Sequence, residues 1–192
     1  MAGHRADEAT ARGGLGHPIP EVRASALGAL ARIGAITQGD LTAGLVDPAP
    51  QVRRRTAEIA PSSLGAELAA LLSDRDWAVV EMAAWALGER GEVDCVTTLA
   101  TTARAHPDPL CRESAVAAIG AIASRTGYPA ERLADGLAAV LDALGDRPAV
   151  RRRAVLALAP FEGTKVEAAL RASLADRDWQ VRQGAEDLLA GP

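Results

Sequence analysis

The segment Val22-Arg23-Ala24-Ser25-Ala26 decides the fold, because its pattern returns five more times along the chain. In this pattern an apolar residue is usually followed by Arg, and a small residue stands four positions after the first. The other copies begin at Val52, Val79, Cys111, Val150 and Val181, at intervals of 27 to 39 residues. A period of this size is typical of a solenoid, in which each repeat buries its apolar face only against its neighbours.

Each repeat is predicted to contain two helices. Counted from the first residue of a copy, positions 4, 7 and 8 are small or aliphatic, a spacing that forms one face of a helix and fits no strand. Proline stands two residues before four copies, where its fixed φ suits a first helical turn: Pro20, Pro50, Pro109 and Pro148. Apolar runs predict the first helix of each pair at 37–46, 62–73, 93–105, 130–144 and 164–175, with a degenerate one near 6–15. We therefore predict an all-α superhelix, an α-solenoid of about six two-helix repeats. Residues 1–192 would form its single domain, with the first repeat degenerate at its N-terminal helix.

The composition argues against several classes of protein. Aromatic residues make up only 3% of the 192 residues, so the core must consist mainly of Ala, Leu, Val and Ile, which favours packed helices. The net charge of −4 gives no global field that would draw the chain to nucleic acid or an anionic membrane. Residues 1–16 lack the apolar stretch of a secretory signal, and no window is apolar enough to span a membrane. We expect a cytoplasmic protein in which Cys95 and Cys111 are reduced thiols.

Two segments match a known repeat motif almost residue for residue. Residues 72–79 read Leu-Ser-Asp-Arg-Asp-Trp-Ala-Val, and residues 174–182 read Leu-Ala-Asp-Arg-Asp-Trp-Gln-Val-Arg. The HEAT repeat is commonly written Leu-x-Asp…Trp-x-Val-Arg-x-x-Ala, so residues 17–190 resemble the HEAT-repeat family. Within that family the chain is similar to the short, bacterial, phycobilin-lyase-like HEAT subclass. The family includes scaffolds, transport adaptors, lyase-associated subunits and DNA glycosylases, so the resemblance predicts the fold far better than the function.

The resemblance also implies a ladder of charged residues. In HEAT proteins a turn Asp and the Arg six residues later form a ladder that links consecutive repeats. Asp47 with Arg53 and Asp176 with Arg182 have this spacing. We therefore expect a structural role for the arginines that follow the first residue of each copy: Arg23, Arg53, Arg112, Arg151 and Arg182.

The ladder is expected to be interrupted at the third repeat. Asp74 is followed six residues later by Val80 where the other repeats have Arg. His17 and His106 occupy the Asp position of the first and fourth repeats, and we expect them to be exposed caps of their turns.

In HEAT proteins the second helices line the concave surface, so the resemblance implies a groove along their outward stripe. At about 100° per residue, position 6 of each copy lies at the centre of that stripe. Trp85 stands there, with Met82 one turn away, and an exposed Trp is costly unless a partner covers it. Trp85 therefore either anchors a ligand or packs against a neighbouring helix. The candidate groove residues are Trp85, Met82, Arg54, Arg55, Glu58, Glu81, Arg152, Arg153 and Leu156.

The charges on this stripe are mixed. The arginine triplets at 53–55 and 151–153 each place two cations after a ladder residue, and Glu58 and Glu81 are interleaved with them. Such a mixture favours an acidic protein surface or peptide over a phosphate backbone, which favours a continuous basic track. The alternative is a solvated face without a partner.

The sequence contains no catalytic constellation. His4, His17 and His106 lie in turns or in the N-terminal tail without the spacing of a metal site, and no phosphate loop or nucleophile motif occurs. We expect a non-catalytic scaffold or adaptor that binds a protein or peptide in the concave groove, without a cofactor and without nucleic acid or a membrane as partner. One alternative is a nucleic-acid-binding protein related in fold to alkylation-repair DNA glycosylases. A second, implied by the resemblance alone, is a lyase-type subunit that handles a tetrapyrrole-like cofactor.

Overall fold

The computed structural model describes residues 2–61, 64–125 and 127–191 and, among these, the side chains of all but residues 2–6 and 66. Over these residues the chain forms twelve α-helices and no β-strand. In chain order the helices are α1 (Ala2–Gly14), α2 (Pro20–Arg32), α3 (Gln38–Leu45), α4 (Pro50–Ile59), α5 (Gly65–Ala70), α6 (Trp77–Arg90), α7 (Val96–Ala105), α8 (Pro109–Ala123), α9 (Ala130–Ala143), α10 (Pro148–Ala157), α11 (Thr164–Ser173) and α12 (Trp179–Ala190). The prediction of an all-α solenoid of paired helices is confirmed.

The second helices, which are the even-numbered ones, begin where the sequence signals place them. Proline occupies the first helical position of α2, α4, α8 and α10, where its missing N–H costs no hydrogen bond. In the two repeats that carry Trp there instead, an aspartate caps the helix. The Asp76 carboxylate accepts a bond of 3.0 Å from the Ala78 amide, and that of Asp178 accepts one of 2.9 Å from Gln180.

The first helices differ from their predicted bounds at the ends. The helix predicted at 62–73 starts as α5 at Gly65 and finishes as a 3-10 turn at Leu71–Ser73, while Ser62 and Ser63 lie outside the described residues. The helix predicted at 93–105 instead begins with a 3-10 turn, Val93–Cys95, which precedes α7. The helix expected near 6–15 is α1, which spans thirteen residues, and its Ala11 is buried.

The chain divides into two compact units, Met1–Ala86 and Leu87–Pro192. In the first unit α2 packs on α1 and α4, and α4 packs also on α3. The small residues at position 4 allow each second helix to approach its first helix, and a glycine lies opposite them. A Cβ atom on Gly14 would lie 3.0 Å from the Cβ of Ala26, and one on Gly44 would lie 3.1 Å from the Cγ2 of Thr56.

In the second unit α7 packs on α8 and α9, while α10 packs on α8 and α12. Here the second helices meet backbone to backbone. A Cβ atom on Gly120 would lie 2.9 Å from the Cα of Ala157, and one on Gly88 would lie 2.8 Å from the Cα of Ala118. Gly88 lies inside α6, where the close contact with α8 requires a residue without a side chain.

Candidate binding surface

Four ion pairs of one geometry connect consecutive repeats, and we call them the ladder. Each joins the Nε and Nη2 atoms of an arginine at position 1 to both carboxylate oxygens of the turn Asp in the next repeat, at 2.6 to 2.9 Å. The pairs are Arg23–Asp47, Arg53–Asp74, Arg112–Asp146 and Arg151–Asp176. A planar guanidinium matches a carboxylate in this two-bond arrangement, which fixes the register between repeats as well as adding binding energy.

Each ladder carboxylate also accepts a backbone hydrogen bond from its own turn. The Oδ1 atom of Asp74 accepts from the Asp76 amide at 2.9 Å, and that of Asp176 accepts from the Asp178 amide at 2.7 Å. Burial raises the pKa of Asp74, but the bonds from Arg53 and the backbone outweigh it and hold that pKa below its ordinary value. The pKa of Asp176 is likewise lowered, chiefly by its hydrogen bonds with Arg151.

The two residue pairs expected from the sequence are in contact, but through a different group. Arg53 Nη1 donates to the carbonyl oxygen of Asp47 at 2.7 Å, and Arg182 Nη1 donates to that of Asp176 at 2.8 Å. The carboxylates of these aspartates bind the arginine of the preceding repeat instead. The six-residue spacing therefore marks a bond that closes the turn, whereas the ion pairs span 21 to 34 residues and cannot be read from local spacing.

At the third repeat the ladder arginine is replaced by Val80, which is fully buried. The two histidines at the Asp position retain the turn contact of the aspartates they replace. The His17 Nδ1 atom accepts a bond of 3.1 Å from the Ile19 amide, and that of His106 accepts one of 3.1 Å from the Asp108 amide. These side chains complete their turns but bring no negative charge to the ladder.

Trp85 lies on the outward stripe of α6, with 47% of its surface exposed. Glu81 and Met82, which precede it by one helical turn, are half-buried. A fully packed Trp side chain would be almost inaccessible, so the alternative in which Trp85 packs against a neighbouring helix accounts for only about half of its surface. The remainder is a large apolar area beside a carboxylate.

On α4 two of the predicted groove residues form an ion pair with each other. Arg55 Nη1 donates to the Glu58 carboxylate at 2.7 Å. The Arg55 guanidinium lies directly over the bare backbone of Gly28 on α2, since a Cβ atom at Gly28 would lie 2.9 Å from its Cζ. Arg54 is exposed, and no ion pair involves it among the described side chains.

In the second unit the other two groove arginines are also paired within the chain. Arg152 Nη1 contacts the Asp178 carboxylate at 3.0 Å and the Gln180 side-chain oxygen at 2.9 Å. Arg153 Nη2 contacts the Glu113 carboxylate at 3.3 Å. Leu156 is 55% exposed. Three of the four arginines considered for binding an acidic partner therefore already have carboxylate partners.

Further features bear on chemistry. Cys95 and Cys111 are buried and form no disulfide, and burial raises the pKa of Cys95. In the part of the chain that the structure describes, no three His, Cys, Asp or Glu side chains are grouped as a metal site would require. None of the described helices is both long and apolar enough to cross a membrane.

Comparison with known proteins agrees with the repeat geometry. The family model described as HEAT repeats matches residues 40–120 and 64–159, so more than half of the chain is covered and the chain belongs to the HEAT-repeat family. No curated protein matches the sequence.

Several of the similar solved structures are engineered proteins. A designed armadillo repeat protein is 18% identical, with a TM-score of 0.69 over 96% of this chain and 98% of that one. A second, solved in complex with the peptide (KR)4, is 19% identical, with a TM-score of 0.71 over the same shares of the two chains. An engineered protein is 20% identical, with a TM-score of 0.70 over 96% of this chain and 95% of that one. At these identities the likeness concerns the fold.

Proposed function

We propose that the protein is a non-catalytic interaction scaffold that binds a protein or peptide segment along the outward stripe of its second helices, with Trp85 as the anchor. The exposure of Trp85 carries this proposal. Trp is among the residues that contribute most to binding interfaces, because one side chain buries a large apolar area at a low entropic cost. The designed armadillo neighbour solved with (KR)4 shows that this kind of fold can hold a peptide.

The charges on the stripe favour a partner held by apolar contact rather than by long-range attraction. Because Arg55, Arg152 and Arg153 are paired with carboxylates, their charges are locally compensated. Arg54 and Glu81 remain without ion pairs among the described side chains, and they have opposite signs. The partner segment therefore needs an apolar side chain for Trp85 and Met82, with polar groups around it.

The same local pairing argues against a phosphate backbone as the partner. Binding to nucleic acid depends on releasing counterions from phosphates, which requires free cations in a row. Apart from Arg54, the arginines considered on the stripe are already bonded to acidic side chains, so they form no row of free cations.

The sequence motifs also support an assignment to one subclass of the HEAT-repeat family. The segments at 72–79 and 174–182 favour the short bacterial phycobilin-lyase-like HEAT subclass. The two buried cysteines, which form no disulfide, favour the cytoplasm as the site of action.

The experiment uses peptides selected from a random phage-displayed library on the immobilised full chain. Their dissociation constants are then measured for the wild type, Trp85→Ala and Trp179→Ala. Trp85→Ala should weaken binding by about 2 kcal/mol, which is roughly thirtyfold. Trp179, 64% exposed at a repeat turn, is the matched control, and its substitution should leave binding unchanged. Peptides that bind Trp85→Ala as tightly as the wild type would refute the proposal.

Melting of the same variants separates binding from packing. Because about half of Trp85 is exposed, its truncation should cost less than the roughly 3–5 kcal/mol of unfolding free energy that a buried Trp costs. A loss within that larger range would identify Trp85 as a core residue. In a variant with Trp77→Phe and Trp179→Phe, the fluorescence of the remaining Trp85 should shift to shorter wavelength when a selected peptide binds.

A further inference from the structure

Arg182 on α12 has the position of a ladder arginine but has no carboxylate partner among the described side chains. Its Nη1 atom donates to the carbonyl oxygen of Asp176 at 2.8 Å, and this is its only side-chain hydrogen bond among the described residues. In the four ladder pairs the corresponding Nη1 atom donates to a turn carbonyl at 2.7 to 2.9 Å, while Nε and Nη2 hold the carboxylate. The turn bond therefore holds the Arg182 guanidinium as it holds the ladder arginines, with Nε and Nη2 unused.

The surface beside Arg182 is one that earlier repeats bury. Leu189 follows Arg182 by seven residues, so both lie on one stripe of α12. The residue at the Leu189 position is at most 1% exposed in the five earlier copies, whereas Leu189 itself is partly exposed. A cleft of about 580 Å³ adjoins it, lined in part by Phe161, Val166, Leu170 and Leu188.

One residue of this surface differs in kind from its counterparts. The residue at position 5 is apolar and at most 2% exposed in the five earlier copies. In the second unit this residue is Val155, which faces α12, since a Cβ atom on Gly184 would lie 3.0 Å from the Cγ1 atom of Val155. At the same position α12 carries Glu186, which is exposed and has no ion pair among the described side chains. This surface thus combines an unused arginine, a carboxylate and an apolar cleft.

We propose that the Arg182 edge, formed by Arg182, Glu186 and Leu189 with the adjoining cleft, binds a helix end of a partner protein through an Asp carboxylate. That carboxylate occupies Nε and Nη2 of Arg182 as the turn aspartates occupy the ladder arginines. A basic side chain of the partner faces Glu186, and an apolar side chain fills the cleft. Four internal examples in the same chain define the geometry of the acidic contact.

A second copy of the chain stacked through its first repeat does not meet these requirements. If it stacked through its first repeat, it would present the turn between α1 and α2, where His17 stands in the place of the aspartate. An imidazole offers the guanidinium no negative charge and no pair of acceptor oxygens. The complementary partner is therefore a different protein with an aspartate at a helix end.

The test uses the full chain and a fluorescent synthetic peptide of residues 164–178, the segment that presents Asp176 to Arg151 within the protein. A second peptide carries Asp176→Asn. The wild-type chain should bind the first peptide about tenfold more tightly than the second, the loss expected for one charge-assisted pair. Arg182→Gln should bind both peptides at the weaker level. Arg182→Lys should also lose most of the difference, because an ammonium cannot form the two parallel bonds.

Arg177→Gln is the matched control, since it removes the charge of an exposed arginine in the same turn and leaves the guanidinium of Arg182 intact. It should retain the wild-type preference for the Asp peptide. The absence of saturable binding, or an undiminished Asp preference in Arg182→Gln, would overturn the proposal. Sedimentation velocity should show a monomer. A dimer that dissociates in Arg182→Gln would identify a second copy as the occupant and overturn the assignment to a different protein.

Discussion

The ladder should contribute measurably to stability, and Asp74→Asn tests this at its most buried aspartate. The side chains of Asp74 and Arg53 are 8% and 15% exposed, and the pair makes two bonds of 2.7 and 2.8 Å. The substitution removes the negative charge while keeping a side-chain oxygen that can accept from the Asp76 amide. Arg53 then remains nearly buried without the carboxylate that pairs with it. Breaking a fully buried pair costs about 3–5 kcal/mol and an exposed one under about 1, so we expect a loss of about 2 kcal/mol.

Urea denaturation followed by circular dichroism at 222 nm measures this loss, and thermal melting should fall by about 4–8 °C for a chain of this length. Glu167→Gln is the matched control because it breaks the Arg171–Glu167 pair, whose side chains are 67% and 56% exposed. The control should change the unfolding free energy by less than about 0.5 kcal/mol. If Asp74→Asn proves as mild as Glu167→Gln, the ladder is a geometric feature without energetic weight.

Three further results are expected. The pKa values of the ladder aspartates are lowered in the folded protein, so the stability they contribute is fully present above the unfolded pKa of about 3.9. This contribution is lost as the pH falls through the folded pKa values. The free energy of unfolding should therefore drop steeply below about pH 4, and it should drop less steeply in Asp74→Asn. Gly120→Ala should lower the unfolding free energy by about 1–3 kcal/mol because the new methyl group meets the Ala157 backbone, whereas Gly13→Ala, with nothing within 4 Å, should be neutral or stabilising. Ala115→Leu should cost about 1–3 kcal/mol for the same overpacking reason, since Ala115 is fully buried, and unchanged melting would mean that position 4 is not a core position.

The repeat pattern predicted the fold well because its signals are local. The apolar residues at positions 4, 7 and 8 and the prolines before α2, α4, α8 and α10 act within a single helix, so periodicity alone places them. Helix ends were less accurate where a first helix passes into a 3-10 turn, as at Leu71–Ser73, because the tighter turn leaves no distinct sequence signal.

The contacts between repeats were harder to predict from the sequence. The carboxylate partner of Arg112 is Asp146, which lies 34 residues away, and six-residue spacing pointed to a different bond. The neutralisation of Arg153 by Glu113 similarly joins residues 40 positions apart. Trp85 is 47% exposed, and its place on the stripe follows from helical spacing, but the pairing of the charged residues depends on how successive helices are stacked.

The second and fifth repeats have two unlike ends, because Asp47 and Asp146 bind the arginine of the preceding repeat while Arg53 and Arg151 bind the aspartate of the following one. Repeats built in this way can replace one another, because each makes the same ion pair with its neighbours. Excision of residues 147–176 would leave Arg112 bound to Asp146 and would connect α9 to α12 through the residues Arg177 and Asp178, which already form such a turn. Duplication or loss of a repeat of this kind therefore preserves the ion pair between the repeats that become neighbours, so an array of such repeats can change length in evolution while keeping the same contact between neighbours.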